Sequence, residues 1–138
     1  MLENNHEKKP KKYAGILAHP TSFPSPYGIG DLGKGAYRFI DFLANSGLNL
    51  WQVLPLGHTG FGDSPYQPFS AFAGQPLIID LDALKEYKLL SEDDFTDMPE
   101  WDPVHIDYGT LITFKTKLLK LAYERFTDPD HEDGLSTD

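Results

Sequence analysis

Phe61, Asp63, Ser64 and Tyr66 fall within six residues of one another in the run FGDSPY, and Phe69 and Phe72 follow closely. A carboxylate and hydroxyls set among rigid rings are the groups that grip a sugar. The ring face stacks on the apolar C–H face of a pyranose, while the polar groups bond its hydroxyl rim. Each residue also has a plainer reading. Asp63 before Ser-Pro is an ordinary turn residue, Ser64 and Tyr66 could only shape the loop, and Phe61, Phe69 or Phe72 taken singly could be core.

These residues sit inside the stretch 49–81, NLWQVLPLGHTGFGDSPYQPFSAFAGQPLIIDL, around which the chain is organised. Apolar runs at 50–56 and 77–81 read as buried strands, and about twenty residues between them lack any periodic pattern. A connection of that length is unusual in a compact domain unless it is functional or disordered. This one is too aromatic to be disordered.

Upstream, residues 16–18 form a short apolar run that His19-Pro20 ends, a second buried strand. His19 could bond a substrate there or be a satisfied histidine. TSFPSPYGIGDLG is loop, and Asp31 within it is a turn residue near a helix start. Gly28, Gly30 and Gly33 have dinucleotide-fingerprint spacing, but Pro24 and Pro26 stand where that motif needs a strand. Ala36, Phe39, Ile40, Leu43 and Ala44 make a helical stripe, and Gly47 takes the place of a left-handed cap. Residues 50–54 then read as a strand buried on both faces, with Trp51 in the core. Strand, helix and strand so arranged predict a βαβ unit with parallel strands.

Downstream, Asp80 reads as a strand-end partner and residues 84–90 as a short helix. Ser91 and Asp94 have capping-box spacing, with Asp replacing the usual Glu or Gln. A loop over 100–107 leads to a second amphipathic helix from 111 to 126, with Leu111, Phe114, Leu118, Leu121 and Ala122 on one face. Lys115, Lys117 and Lys120 read as its solvated side. Residues 1–12 are expected to be a disordered arm, 13–126 the structured portion and 127–138 an acidic tail.

The 138 residues are 40 % hydrophobic and 13 % aromatic, a globular composition. A net charge of −9 argues against nucleic acid, which wants a basic patch. Cysteine is absent, so disulfides and thiolate zinc sites are excluded. Asp128, Asp130 and Asp133 miss calcium-loop spacing by one, so no metal is expected. The N-terminus lacks the apolar core of a signal peptide and no apolar run reaches about eighteen residues, so a cytoplasmic protein without membrane partners is expected. Few strands and long excursions make a poor complete fold. The pattern predicts an incomplete α/β chain, the start of a (β/α)8 barrel that typically needs about 250 residues.

GILAHPTSFPSPYGIGDLG, AYRFIDFLANSG, LWQVLPLGHTGFGDSPYQPFSAFAGQPLIIDL and VHIDYG resemble the N-terminal region of 4-α-glucanotransferases, the amylomaltases of the α-amylase-like superfamily. The resemblance covers about residues 13–126. It implies the N-terminal part of a (β/α)8 TIM barrel, incomplete in this chain. It also implies cytoplasmic, cofactor-free transfer of α-1,4-glucan segments between malto-oligosaccharides, with retention at the anomeric carbon. The catalytic carboxyl groups of that family lie on later strands, so no catalytic residue is expected here and the chain alone should be inactive. Ser64 and Tyr66 match positions lining the donor side of the glucan cleft. Phe61 stands where many members have Tyr at a secondary glucan contact, keeping the ring and losing the hydroxyl. The rival readings are a non-catalytic glucan-binding module, a non-functional truncated remnant and a hydrolase of the same superfamily.

Overall fold

A computed structural model of the chain describes residues 12–58, 70 and 73–131. Most of the polar arm expected at residues 1–12, and the last seven residues of the expected tail, fall outside them. Two short strands, β1 (Gly15–Leu17) and β2 (Leu50–Gln52), pair in parallel, with Gly15 opposite Leu50 and Leu17 opposite Gln52. Between them runs helix α1 (Lys34–Asn45), so the predicted βαβ unit is present. Gly47 follows α1 at φ +70°, a conformation that costs glycine nothing, and the chain then turns into β2. Leu48 donates back to the Leu43 carbonyl at 2.9 Å.

Both strands depart from the expectation of two buried faces. Leu17 and Leu50 are 54 % and 50 % exposed, while Ile16 and Trp51 are half-buried. The cause is topological: α1 packs against one face, and no described element covers the other. The continuous apolar run suits a parallel sheet covered on both sides, and here only one side is covered. On α1, Ala36 and Leu43 are buried, whereas Ile40 and Ala44 of the predicted stripe stay exposed. Phe39 fastens the helix to the sheet, 5.3 Å from the Trp51 ring and 4.9 Å from that of Phe23.

The second correction concerns residues 77–81, which do not form a strand. Pro76–Ile78 is a turn of 3₁₀ helix, with proline in its first turn and the Gln75 side chain accepting from Leu77 N–H. Helix α2 (Leu81–Glu86) follows at once. Asp80 is therefore not a strand-end partner but the N-cap of α2, its Oδ1 accepting from Asp82 N–H at 2.9 Å. A five-residue apolar run fits a strand or a buried helix start equally well, and a free carboxylate cap with Asp82 in the first turn decides for the helix. The expected helix at 84–90 thus begins and ends earlier, closing where Lys88 adopts φ +60°.

Ser91 and Asp94 form the predicted capping box on the 3₁₀ turn Glu92–Phe95. Helix α3 (Tyr108–Thr127) starts three residues earlier than its apolar stripe, because Asp107 caps it through Thr110 N–H at 3.2 Å. Past α3 the chain turns back, and His131 Nε2 lies 3.0 Å from the Lys88 carbonyl. The core lies between α2, α3 and the 27–29 segment: Tyr27, Leu81, Leu89, Leu90, Phe114, Leu118 and Ala122 in one cluster, Ile29, Leu77 and Leu111 in another, with Trp101 touching both. Full burial of Leu81, Leu111 and Leu118 contributes roughly 1.5–3 kcal/mol each.

Lys115 contradicts its sequence reading. It is fully buried in the same stripe, four residues after Leu111 and three before Leu118. Its ammonium donates to the carbonyls of Leu77 at 2.6 Å and Ile79 at 3.1 Å.

Candidate functional site

Phe61, Asp63, Ser64 and Tyr66, together with Phe69 and Phe72, lie outside the described residues. What the structure places is the base of the loop that carries them. In an α/β barrel, ligand-binding loops leave the C-terminal ends of the strands. At the end of β1, His19 is buried and its Nδ1 meets Thr21 Oγ1 at 2.8 Å, with Thr21 N–H at 3.4 Å. Burial lowers its pKa, against a hydrogen bond to the Pro55 backbone that raises it. His19 is therefore held at the end of β1 by Thr21, which engages its Nδ1. Trp51 ties β2 to the same end, its indole N–H donating to the Ala18 carbonyl at 2.8 Å while its ring packs on Phe23 and Phe39. The sequence predicts a core position for it, but it stays half-buried and outside both core clusters, because no described element covers the second face of the sheet.

Beyond β2 the chain turns sharply at Leu54, whose φ of +62° places a branched side chain in the left-handed region. That conformation costs an L-residue about 1–2 kcal/mol and persists where the surroundings fix it. The two stems of the loop meet at Gln75, which is buried. Its Nε2 donates to the Gly57 carbonyl and its Oε1 accepts from Leu77 N–H, each at 3.4 Å.

Asp31 and Asp80 come together around Gly33. A Cβ on Gly33 would lie 2.6 Å from the Asp80 carboxyl and 2.9 Å from Asp31 Oδ1, so a side chain there would push both carboxyls aside. Burial raises the pKa of Asp80, with repulsion from Asp31 adding to it and the Asp82 N–H bond opposing. Asp31 accepts from Gly33 N–H and from Ser25 Oγ, both at 3.0 Å, the turn role its sequence context predicts. Both acids are engaged with their own backbone, so they join elements and offer no acid–base pair to a ligand.

A groove of about 870 Å³ opens between the 21–30 and 98–108 segments. Phe23, Pro24 and Pro26 line one wall and Trp101, His105 and Tyr108 the other. Gly28, at φ +78°, lets its backbone lie on the Trp101 ring, which a Cβ would meet at 2.5 Å. On the rim Asp102 accepts from the backbone N–H of Val104 and His105, and those bonds lower its pKa. Sequence reasoning did not find this groove; the prolines at 24, 26, 99 and 103 and the aromatic VHIDYG were its only signals. Among the described residues no helix is long and apolar enough to cross a membrane, and no group of three or more His, Asp or Glu could hold a metal ion.

The sequence profile of one family, 4-alpha-glucanotransferase, matches residues 18–136. The chain belongs to the 4-alpha-glucanotransferase family. It is 48 % identical over 116 residues to the 4-alpha-glucanotransferase of Synechocystis sp., a match covering 84 % of this chain and 23 % of that protein. Against that of Thermus thermophilus the identity is 49 % over 114 residues, covering 83 % and 22 %. Among solved structures, an amylomaltase from Streptococcus agalactiae in complex with acarbose superposes with a TM-score of 0.77 at 40 % identity. That match covers 86 % of this chain and 24 % of the amylomaltase. The chain thus spans about a quarter of the length of the relatives it matches. Its α/β fold is a partial copy of the barrel enzyme.

Proposed function

We propose that this chain is the N-terminal part of a 4-α-glucanotransferase acting on malto-oligosaccharides and α-1,4-glucan, and that the loop between β2 and the 3₁₀ turn Pro76–Ile78 forms part of the donor side of the glucan cleft. The observation that carries the reading is the 40 % identical amylomaltase, solved with acarbose, which matches 86 % of the chain. In this reading the Ser64 hydroxyl bonds a sugar hydroxyl and Tyr66 stacks on a glucose face. Phe61 offers a ring without a hydroxyl at a secondary contact, and Asp63 holds the turn at the sugar's edge.

Retaining transfer requires two carboxyl groups about 5 Å apart, one attacking the anomeric carbon and the other protonating the leaving oxygen and then activating the acceptor hydroxyl. Those groups belong to the remainder of the family fold, and the residues here contribute binding and orientation. The location proposed is the cytoplasm, with no cofactor, metal, nucleic acid or membrane partner.

The test is disproportionation of maltotriose by the purified native polypeptide that carries this sequence. Glucose and longer malto-oligosaccharides are the expected products. Ser64→Ala should lower kcat/KM about tenfold, the worth of one sugar hydrogen bond made by a neutral donor. An inactive native polypeptide, or an S64A variant indistinguishable from the parent, would refute the reading.

A further inference from the structure

Resting on the family fold and not on the proposed sugar contacts, we infer that the open side of the βαβ unit is a docking surface for the rest of a family barrel, and that it accepts this partner as a separate polypeptide. The surface has three parts: one face of the sheet, its two edges and the flanks of α1.

By the register of the sheet, Ile16 and Trp51 share the face toward α1, while Leu17 and Leu50 share the other with Gln52. Both leucines are exposed there. In a barrel that face looks inward, where branched side chains of alternate strands pack in layers. The edges are open as well. Leu50 N–H donates to Ala14 O and Ala18 N–H to Gln52 O, so by alternation the backbone groups of Gly15 and Leu17 point away from β2. Those of Trp51 point away from β1 in the same way, and no described strand pairs with either edge. On α1, Tyr37 and Ile40 lie to one side of the buried Ala36–Leu43 line and Phe42 to the other, all three exposed. The apolar arc is wider than the sheet covers and leaves room for a helix on each side. Contiguous exposed apolar surface of this kind marks a protein contact.

The occupant follows from the structural match. The Streptococcus agalactiae amylomaltase superposes at a TM-score of 0.77 over 24 % of its length, so about three quarters of that protein lies beyond the match. Parallel strands on both edges, side chains on the inner face and helices on both flanks are what such a remainder supplies. A second copy of this chain fits less well. Pairing identical edges about a two-fold axis either runs the strands antiparallel or turns α1 to the opposite side, and it closes one edge only.

The experiment refolds this chain with the Streptococcus agalactiae amylomaltase polypeptide lacking its matched quarter, at a concentration where this chain alone stays monomeric. Sedimentation should show a one-to-one complex, with amides of β1, β2 and α1 exchanging about tenfold more slowly than in the free chain. Leu17→Lys should weaken the complex about tenfold or more, since a leucine to be buried gives way to an unpaired charge. Val104→Lys, at an exposed apolar residue outside this surface, should leave it unchanged. No complex, equal weakening by L17K and V104K, or assemblies of this chain alone would overturn the inference, the last by giving the surface to a second copy. If L17K loses the slow amides of α3 and so does not fold, Phe42→Ser is judged by the same criteria. Failure of the maltotriose test would leave this outcome untouched, since association and not transfer is read.

Discussion

Lys115 shows how much one buried charge can say about a fold. Burial pulls its pKa from the ordinary 10.5 down to about 8, against the attraction of Asp31 and Asp80, which raises it. Between those two values the unfolded chain binds the proton and the folded chain does not, so stability rises with pH across that window. The full span is on the order of 3 kcal/mol. Tyr27 acts in the opposite sense at higher pH. Burial and its bond to Asp82 push its pKa from 10.0 up to about 12, so the stability it lends below pH 10 is lost as pH rises through 12. Helical ellipticity followed against urea should therefore give a midpoint that climbs from pH 8 to about 10 and falls beyond. In Lys115→Met the climb should vanish, and a climb of equal size in the variant would contradict this account. The position was within reach of the sequence. Lys115 shares the buried stripe of Leu111 and Leu118, and treating every lysine on α3 as solvated overrode the helical period. The two carbonyls that make its burial tolerable come from the 3₁₀ turn Pro76–Ile78 and its C-cap Ile79, where the apolar run suggests a strand.

At the scale of elements, what was legible followed from local rules. Helix α1, the Gly47 turn, the parallel pairing of β1 with β2, the Ser91–Asp94 box and helix α3 all came from spacing alone, although only Ala36 and Leu43 of the expected α1 stripe are well buried and Lys115 joins the buried face of α3. The 3₁₀ turn Pro76–Ile78 did not, because LIIDL is too short for periodicity to separate strand from helix start. The candidate loop was legible as residue types, but the bonds at its stems were not, because Gln75 reaches Gly57 and Lys115 reaches Leu77 and Ile79, partners distant in sequence. The capping box also does more than start a turn. Arg125 of α3 reaches back to Asp94 with two bonds of 2.6 and 2.9 Å and to the Leu89 carbonyl at 3.0 Å. The guanidinium, with help from Ser91, holds the Asp94 carboxyl down at about 2. Its contribution is present above the ordinary 3.8 and lost as pH falls through 2. Asp94→Asn should thus cost about 1–2 kcal/mol at pH 7 in urea unfolding, the worth of a largely covered charge-assisted pair. That gap should close near pH 2, and a difference independent of pH would assign the loss to the cap and not to the ion pair.

For the whole molecule, the two halves of the chain are unequally supported. Around α3 the fully buried leucines, the Arg125–Asp94 pair and the Lys115 anchor act together. The βαβ unit has a sheet of two strands, each three residues long, with Leu17 and Leu50 half exposed and Tyr37 and Phe42 of α1 open to solvent. Two strands are too few for independent stability unless a helix packs well against them, and here the helix covers one face. An exposed apolar edge is also a template for pairing with another chain. The 138 residues taken alone should therefore unfold over a broad range, with α1 and the strand amides exchanging with solvent before those of α3. At raised concentration the same edge should drive association, which sedimentation would detect. Cutting one exposed leucine, Leu50→Lys, should lessen the association while leaving the late-exchanging amides of α3 untouched. A sharp, reversible, two-state melt of the monomer, with α1 and α3 exchanging together, would show instead that the βαβ unit and the α3 core fold as one.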